Sequence, residues 1–163
     1  MSFQFSSSRL LHEEHMASLV LLGEIERAVL ARKEPPPRGD AQVEGPIRRL
    51  RDALAGEVGA HFDFEEEALF PYLVEFGEGD LSDLLGEEHR VLREVFSEVD
   101  AQIASGLAAG FEPAGWTNFR RLCGELIERL QSHIEKEERA LIPALENTLT
   151  SEADAECCAR HDF

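Results

Sequence analysis

The chain has 163 residues, of which 43% are hydrophobic, enough for one compact domain with a substantial apolar core. Its 33 Asp and Glu residues outnumber its 16 Lys and Arg residues, so the formal net charge is -17. A surface this acidic repels nucleic acid and anionic membranes. We therefore expect neither nucleic acid nor a membrane as a partner.

Cysteine content and the N-terminal sequence both bear on localisation. The three cysteines, Cys123, Cys157 and Cys158, cannot all pair, which favours a reducing compartment. The first residues lack the basic and apolar regions of a secretory signal, and the apolar run at 19–22 is too short to cross a bilayer. These features predict a cytoplasmic protein.

Proline- and glycine-containing connections at 35–46, 77–80 and 110–115 divide the chain into four long segments. In each segment apolar residues recur every three or four positions, as on one face of a helix. Because the last two connections are short, we predict an all-α, up-down-up-down four-helix bundle over residues 1–150. Residues 151–163 lack this periodicity, and we expect them to form a flexible tail.

The ends of the four helices have recognisable signals. The first helix is expected over about residues 8–32, and the second just after Pro46, which suits a first helical position. Asp80 or Ser82 is available as the N-cap of the third helix, and the fourth is entered through Pro113. Further along the second and fourth helices, Pro71 and Pro143 predict either a kink or a helix end.

An internal repeat relates the second and fourth helices. The sequence HFDFEEEALFPYL, which begins at His61, aligns without gaps to HIEKEERALIPAL, which begins at His133, 72 residues later. A weaker repeat relates LHEEH, ending at His15, to LGEEH, ending at His89. The bundle therefore consists of two helical-hairpin repeats, each with one single His and one His-x-x-x-Glu pair.

The repeated residues have the spacing and chemistry of metal ligands. Residues four apart lie on one helix face, so each His-x-x-x-Glu pair directs two donor groups at one volume. All of these residues lie on the apolar stripes, where an unsatisfied polar group costs roughly 1–3 kcal/mol, and a bound cation removes that cost. The candidate metal ligands are His15, His61, Glu65, His89, His133 and Glu137.

Four imidazoles and two carboxylates are too many for one tetrahedral zinc ion. They suit two metals, each with two histidines and with both glutamates bridging, which leaves positions for an oxo or hydroxo bridge and for an external molecule. Such an open nitrogen and oxygen site favours two iron ions over manganese or zinc.

In chain order, the candidate ligands form the pattern His15, His-x-x-x-Glu-x-x-x-Leu-Phe-Pro, Glu-Glu-His and His-x-x-x-Glu-x-x-x-Leu-Ile-Pro. Over about residues 8–148, this pattern resembles the hemerythrin-like, or HHE cation-binding, domain. The resemblance implies a four-helix bundle with a non-haem di-iron centre, and it assigns the metal to the six candidate ligands. The oxygen-carrying hemerythrins of marine invertebrates differ, because their third helix supplies two histidines four residues apart. Here the positions four residues from His89 are Leu85 and Arg93.

In those oxygen carriers, the last ligand histidine and its carboxylate partner are also separated by one more residue. That spacing would make Glu138 the ligand, whereas the internal repeat favours Glu137. The chain looks more like the bacterial six-ligand type. That type is linked to oxygen or redox sensing, to nitric-oxide or peroxide responses, and to iron handling.

Two functions follow from this resemblance. The first is a metal-binding protein that binds or senses oxygen, nitric oxide or peroxide, or handles iron, together with a redox or signalling protein partner. The alternative is a di-iron enzyme that turns over peroxide, nitric oxide or ferrous iron. Apart from neighbouring glutamates, no residue near the candidate ligands is an obvious general acid or base, which favours the first.

Several residues near the candidate ligands are expected to have structural roles. On a helix, consecutive side chains point about 100° apart, so we expect the glutamates next to the candidate ligands to face solvent. The alternative is that such a glutamate orients a ligand histidine. His12 suits a solvated helix start, with a metal ligand or an outer contact of the site as the alternative. Tyr72 suits the core, with a redox or hydrogen-bonding role as the alternative. The adjacent glutamates are Glu14, Glu66, Glu88 and Glu138.

The C-terminal residues Cys157, Cys158 and His161 are consistent with a metal-transit or redox motif, but a disordered tail explains them equally well. Cys123 lies near the apolar stripe of the fourth helix and is expected to be a small buried residue.

Overall fold

A computed structural model describes residues 2–161, and within this range the chain contains helices and no strand. The α-helices are α1 (Ser6–Ile25), α2 (Ala41–Ala55), α3 (Glu57–Phe64), α4 (Phe70–Glu75), α5 (Gly79–Ala109), α6 (Pro113–Lys136), α7 (Ile142–Thr148) and α8 (Ser151–Cys158). Three π-helical turns extend or join them, namely Glu26–Leu30, Glu65–Leu69 and Glu137–Leu141.

These elements form four long helices. The first is α1 with its π-helical extension, the second is α2 to α4, the third is α5, and the fourth is α6 and α7 with the π-helical turn between them. Consecutive long helices pack against each other, and the fourth packs against the first. The prediction of an all-α, up-down-up-down four-helix bundle is confirmed.

The core consists of two apolar clusters with a polar layer between them. On α1, Leu22 belongs to the larger cluster and Leu11 to the smaller one. His15 lies between these two leucines and is buried. The same order holds on α3, where His61 lies between Val58 of the larger cluster and Phe64 of the smaller one. The bundle therefore places its buried histidines in one layer, closed by apolar side chains above and below.

The second long helix begins earlier than predicted. Its first residue is Ala41, and the Asp40 carboxylate caps it by accepting a hydrogen bond from the backbone N–H of Gln42. Pro46 lies inside the helix, so the prediction of a helix start just after Pro46 is wrong. Asp is among the strongest N-cap residues, and here that preference outweighs the signal from the proline.

The prolines that follow the two candidate ligand glutamates change the form of their helices without ending them. A proline lacks a backbone N–H, and its ring crowds the carbonyl four residues earlier. Ahead of Pro71 the helix widens into a π-helical turn, in which the backbone N–H of Phe70 donates to the carbonyl of Glu65. The fourth helix repeats this turn, with Ile142 donating to Glu137 ahead of Pro143. Such turns occur frequently at functional sites.

The segment expected to be a flexible tail contains α8, which packs against α1. The Asp154 carboxylate accepts hydrogen bonds from the backbone N–H groups of Ser6 and Ser7 at the start of α1 and from the Ser7 hydroxyl. Cys157 is buried in the smaller apolar cluster. The buried residues of α8 are only Asp154 and Cys157, so the segment carries no apolar stripe in the sequence.

None of the helices in the described part of the chain combines the length and the hydropathy that crossing a membrane requires.

Candidate metal centre

The six residues proposed from the sequence come together in the buried layer. Glu65, His89 and Glu137 are fully buried, and the other three are at most 6% exposed. Two groups of four have their donor atoms within 4.8 Å of one another, and both groups contain both glutamates. The first group is His15, His61, Glu65 and Glu137, and the second is Glu65, His89, His133 and Glu137.

The two glutamates are buried but not satisfied by hydrogen bonds. His133 Nε2 lies 2.7 Å from Glu137 Oε1, and His89 Nε2 lies 3.2 Å from Glu65 Oε2. Nevertheless none of the four carboxylate oxygens has a hydrogen-bond partner of acceptable geometry. The histidine nitrogens and carboxylate oxygens therefore point at the same small volume in the buried layer. Since an unpaired buried carboxylate is costly, this donor set fits bound cations.

The two histidines of the second group face each other in the same way. His89 Nε2 lies 3.0 Å from His133 Nε2, and their rings are 4.7 Å apart in an edge-on arrangement. When both Nδ1 atoms donate to their glutamates, the Nε2 atoms of two neutral rings both carry lone pairs, which face each other and cannot form a hydrogen bond. Two imidazole nitrogens held this close, beside two carboxylates, can instead coordinate one cation.

Each of the four histidines turns Nε2 toward the centre and Nδ1 toward a glutamate on a neighbouring long helix. The Nδ1 to carboxylate distances are 2.6 Å from His15 to Glu138, 2.7 Å from His61 to Glu14, 2.8 Å from His89 to Glu66, and 2.9 Å from His133 to Glu88. Each long helix thus contributes a glutamate that contacts the histidine of the next long helix along the chain. The glutamate of the fourth helix contacts the histidine of the first, which closes the circle. We call these four residues the glutamate ring.

The expectation that these glutamates only face solvent is wrong. Their side chains are 20–37% exposed, and each one still contacts a candidate ligand histidine. In a four-helix bundle, a side chain turned about 100° from the core faces the adjacent helix. The repeat contained a signal for the ring, because Glu14 corresponds to Glu88, and Glu66 to Glu138. Such carboxylate contacts fix the orientation of metal-binding histidines and increase their basicity.

The pKa values show where the layer places charge. Burial opposes protonation of His89, but the carboxylates of Glu137 and Glu65 raise its pKa to about 9. Burial also opposes protonation of His61, and the charge of Glu65 with contacts from Glu137 and Glu14 holds its pKa well above the usual value. Conversely, contacts from histidines hold the pKa of Glu137 well below its usual value despite burial. Positive charge is thus favoured at the centre of the layer.

The two groups differ in their surroundings. Phe62 stacks on His89, with ring centroids 3.9 Å apart, and Phe70 stacks on it from 5.5 Å. We call the His89 and His133 side the enclosed half. A cavity of about 800 Å³ between the first two long helices extends from exposed Val20 inward. Its floor is His15, His61, His133 and Glu137.

We call the His15 and His61 side the open half, since both of its histidines line this cavity, whereas only His133 of the enclosed half does. Among the described residues that line the cavity, neither His89 nor Glu65 occurs. The cavity therefore reaches His15, His61 and His133 but not His89.

Other residues singled out in the sequence lie outside the two groups of candidate metal ligands. His12 contacts Glu138 through Nδ1 at 3.0 Å, so it shares a ring glutamate with His15. The Tyr72 hydroxyl donates to the backbone carbonyl of Thr148, which ties the second long helix to the fourth. Cys123 is fully buried in the larger apolar cluster, and burial raises the pKa of its thiol to about 12.

Comparison with protein families identifies the fold and the type of site together. The family model of the hemerythrin HHE cation-binding domain matches residues 6–156, a range that contains all six converging residues and the whole glutamate ring. A comparison with curated proteins gives no match. The match spans nearly the whole chain and agrees with the bundle and with its buried His and Glu groups. The chain therefore belongs to the hemerythrin HHE cation-binding domain family.

Proposed function

We propose that this protein binds two iron ions and uses them to bind or sense oxygen or a related small molecule, such as nitric oxide or peroxide, or to handle iron. His15 and His61 would hold one ion, His89 and His133 the other, and Glu65 and Glu137 both. The observation that carries the proposal is the pair of donor groups that share both buried glutamates. Two ions held in this way supply open coordination positions for a small molecule.

The donor chemistry supports iron over zinc. A structural zinc site is closed by four ligands and prefers thiolates and imidazoles. Here each group offers two imidazoles and shares two carboxylates, and the described cysteines lie outside both groups. Nitrogen and oxygen donors with positions to spare suit iron, while manganese is the closest competitor.

The cavity supports binding of the external molecule in the open half. Its lining changes from exposed to buried along the path between the first two long helices, where Ala53 lies near the surface and Val58 deeper. The largely apolar walls suit an uncharged molecule, since a charged one would lose its hydration there. We therefore propose entry by this route and binding beside His15 and His61.

The alternative of a di-iron enzyme is less well supported. Turnover of peroxide or nitric oxide requires a group that delivers or removes protons near the metals. The ionisable side chains nearest the six ligands are the ring glutamates, and each is already bonded to the Nδ1 of a histidine. A binding or sensing protein requires only that the external molecule can enter and that a partner, such as a redox or signalling protein, responds.

Metal analysis of protein purified from iron-replete cells tests the proposal. We expect about two irons per chain, together with a near-ultraviolet absorption typical of coupled iron ions. The control is the variant Glu65→Gln/Glu137→Gln, which keeps the side-chain volumes and removes both bridging charges. Wild-type protein that contains no iron, or as much iron as this control, would contradict the proposal.

Rapid mixing of the reduced protein with oxygen, nitric oxide or peroxide then separates the two functions. A binding protein gives a spectral change that saturates at about one equivalent and reverses when the small molecule is removed. An enzyme continues to consume the molecule while reductant is supplied, and this outcome would replace the first function with the alternative.

A further inference from the structure

Each glutamate of the ring has a second partner on its outer side, and these partners differ between the two halves. In the enclosed half they are the permanently charged Lys136 and Arg93, at 2.7 Å from Glu88 and 3.4 Å from Glu66. In the open half they are histidines, with His12 beside Glu138 and His161 beside Glu14.

The contact of His161 reaches toward the metal centre from outside the bundle. Its Nε2 lies 3.2 Å from Glu14 Oε1, while Glu14 Oε2 lies 2.7 Å from Nδ1 of His61. The two carboxylate oxygens of Glu14 therefore face different histidines, one at hydrogen-bond distance from His61 and the other at ion-pair distance from His161. His161 is also 9% exposed, and its ring lies 4.7 Å from that of Phe64.

His161 is delivered to this position by the C-terminal helix. Asp154, Cys157 and His161 follow each other at steps of three and four residues, so they share one face of α8 and its continuation. All three are buried. Asp154 bonds the start of α1, and Cys157 lies against the carbonyl of Ala68, so the segment is fixed along its length. His161 lies beyond residues 6–156, which the family model matches.

We propose that His161 is a positioning residue for the candidate metal ligand His61, acting through Glu14. Glu14 is 28% exposed, so a single bond to His61 would leave its carboxylate free to turn toward water. The ion-pair contact with His161 restrains the second oxygen, and Glu14 then holds the His61 ring with Nε2 directed at the centre. The C-terminal segment is in this sense a part of the metal centre, and it acts on the open half alone.

This inference rests on the proposed function for its effect on metal binding, but not for the contact itself. Three variants test it. His161→Phe keeps a ring against Phe64 and removes the nitrogen, whereas His161→Gln keeps a donor that can reach Glu14. Cys157→Ala is the matched control, because it loosens the same face of the segment without touching Glu14.

The first readout is the side-chain ¹⁵N signal of His61 in the metal-free protein, which reports its Nδ1 bond without depending on metal. We expect a clear shift of this signal in His161→Phe, a return toward wild type in His161→Gln, and no shift in Cys157→Ala. An unchanged His61 signal in His161→Phe would overturn the proposal, whether or not the protein binds metal.

The second readout is a competition titration of ferrous iron against a chelator, which resolves the affinities of the two sites. Direct partners of metal-bound histidines change affinity about 10- to 100-fold, and His161 acts one contact further out, so we expect about a 3- to 10-fold loss in His161→Phe. The loss should affect one site only. An equal loss at both sites, or the same loss in Cys157→Ala, would show a structural role and overturn the proposal. Wild-type protein that takes up no iron would instead contradict the proposed function.

Discussion

The enclosed and open halves of the centre have the same donors, two histidines each and two shared glutamates, but different neighbours. Around His89 the packing is aromatic, with Phe62 and Phe70 stacked on the ring. Around His15 and His61 there is a cavity that opens between helices. An internal repeat thus brings together two groups of equal chemistry, and their surroundings differ, with aromatic rings around His89 and a cavity beside His15 and His61.

The largest expected effect comes from a residue that belongs to both halves. Glu137→Gln removes the charge that both groups share, so we expect loss of both metals, whereas His89→Ala should lose about one. Each metal, at a free concentration of 100 times its Kd, contributes about 2.7 kcal/mol, or roughly 5–10 °C in Tm, so Glu137→Gln should lose about twice as much stability as His89→Ala. Metal analysis and calorimetry measure both quantities. Equal metal content in the two variants would contradict the shared role of Glu137.

The glutamate ring gives the next effect and separates the halves. Glu14→Gln should weaken one metal site, and Glu88→Gln the other, each by about 10- to 100-fold, because each carboxylate fixes one histidine. The adjacent Glu13 and Glu87 are exposed, so Glu13→Gln and Glu87→Gln are matched controls. Chelator competition measures the affinities. Equal effects of a ring variant and its neighbouring control would contradict a role of the glutamate ring in metal binding.

Filling the cavity should change access without changing metal content. Ala53→Phe places a ring in the path to the open half, so we expect about a tenfold slower reaction of the reduced protein with nitric oxide. Val91→Phe is the control, since Val91 lines a separate groove of about 570 Å³ between the third and fourth long helices. Stopped-flow spectroscopy gives both rates. A slower reaction in Val91→Phe but not in Ala53→Phe would place the entry route elsewhere.

The smallest expected effect is the pH dependence of the metal-free protein. His89 has a pKa of about 9 when folded, because the carboxylates of Glu137 and Glu65 outweigh its burial. A raised pKa contributes stability that is fully present below the unfolded value, about 6.5, and that is lost as the pH rises through about 9. Metal-free protein should therefore lose a few degrees of Tm across this window. With iron bound the trend should reverse, because protons compete with metal for the histidines. A Tm of the metal-free protein that rises across the window would contradict this assignment of charge.

The sequence predicts the bundle and the converging residues because both depend on periodicity within one helix. The His-x-x-x-Glu spacing and the repeat from His61 to His133 place donors on single faces, and burial then brings the faces together. The ring is only the alternative prediction for its four glutamates, for the opposite reason. Whether Glu14 faces water or His61 depends on the neighbouring helix, which a single-helix argument does not include.

The other differences have similar physical causes. α8 buries only Asp154 and Cys157, so its sequence has no apolar stripe. The two prolines that follow the ligand glutamates are accommodated by π-helical turns, which depend on the packing of the whole helix. The cavity and the stacking of Phe62 on His89 distinguish the two halves, although the repeat in the sequence makes them equivalent.

The central claim is that two metals share Glu65 and Glu137 inside this bundle. A crystal structure of the iron-loaded protein, with anomalous diffraction recorded at the iron absorption edge, tests it most directly. We expect two iron peaks, one beside His15 and His61 and one beside His89 and His133, with both glutamates contacting both ions. A single peak, or a peak outside the buried layer, would contradict it.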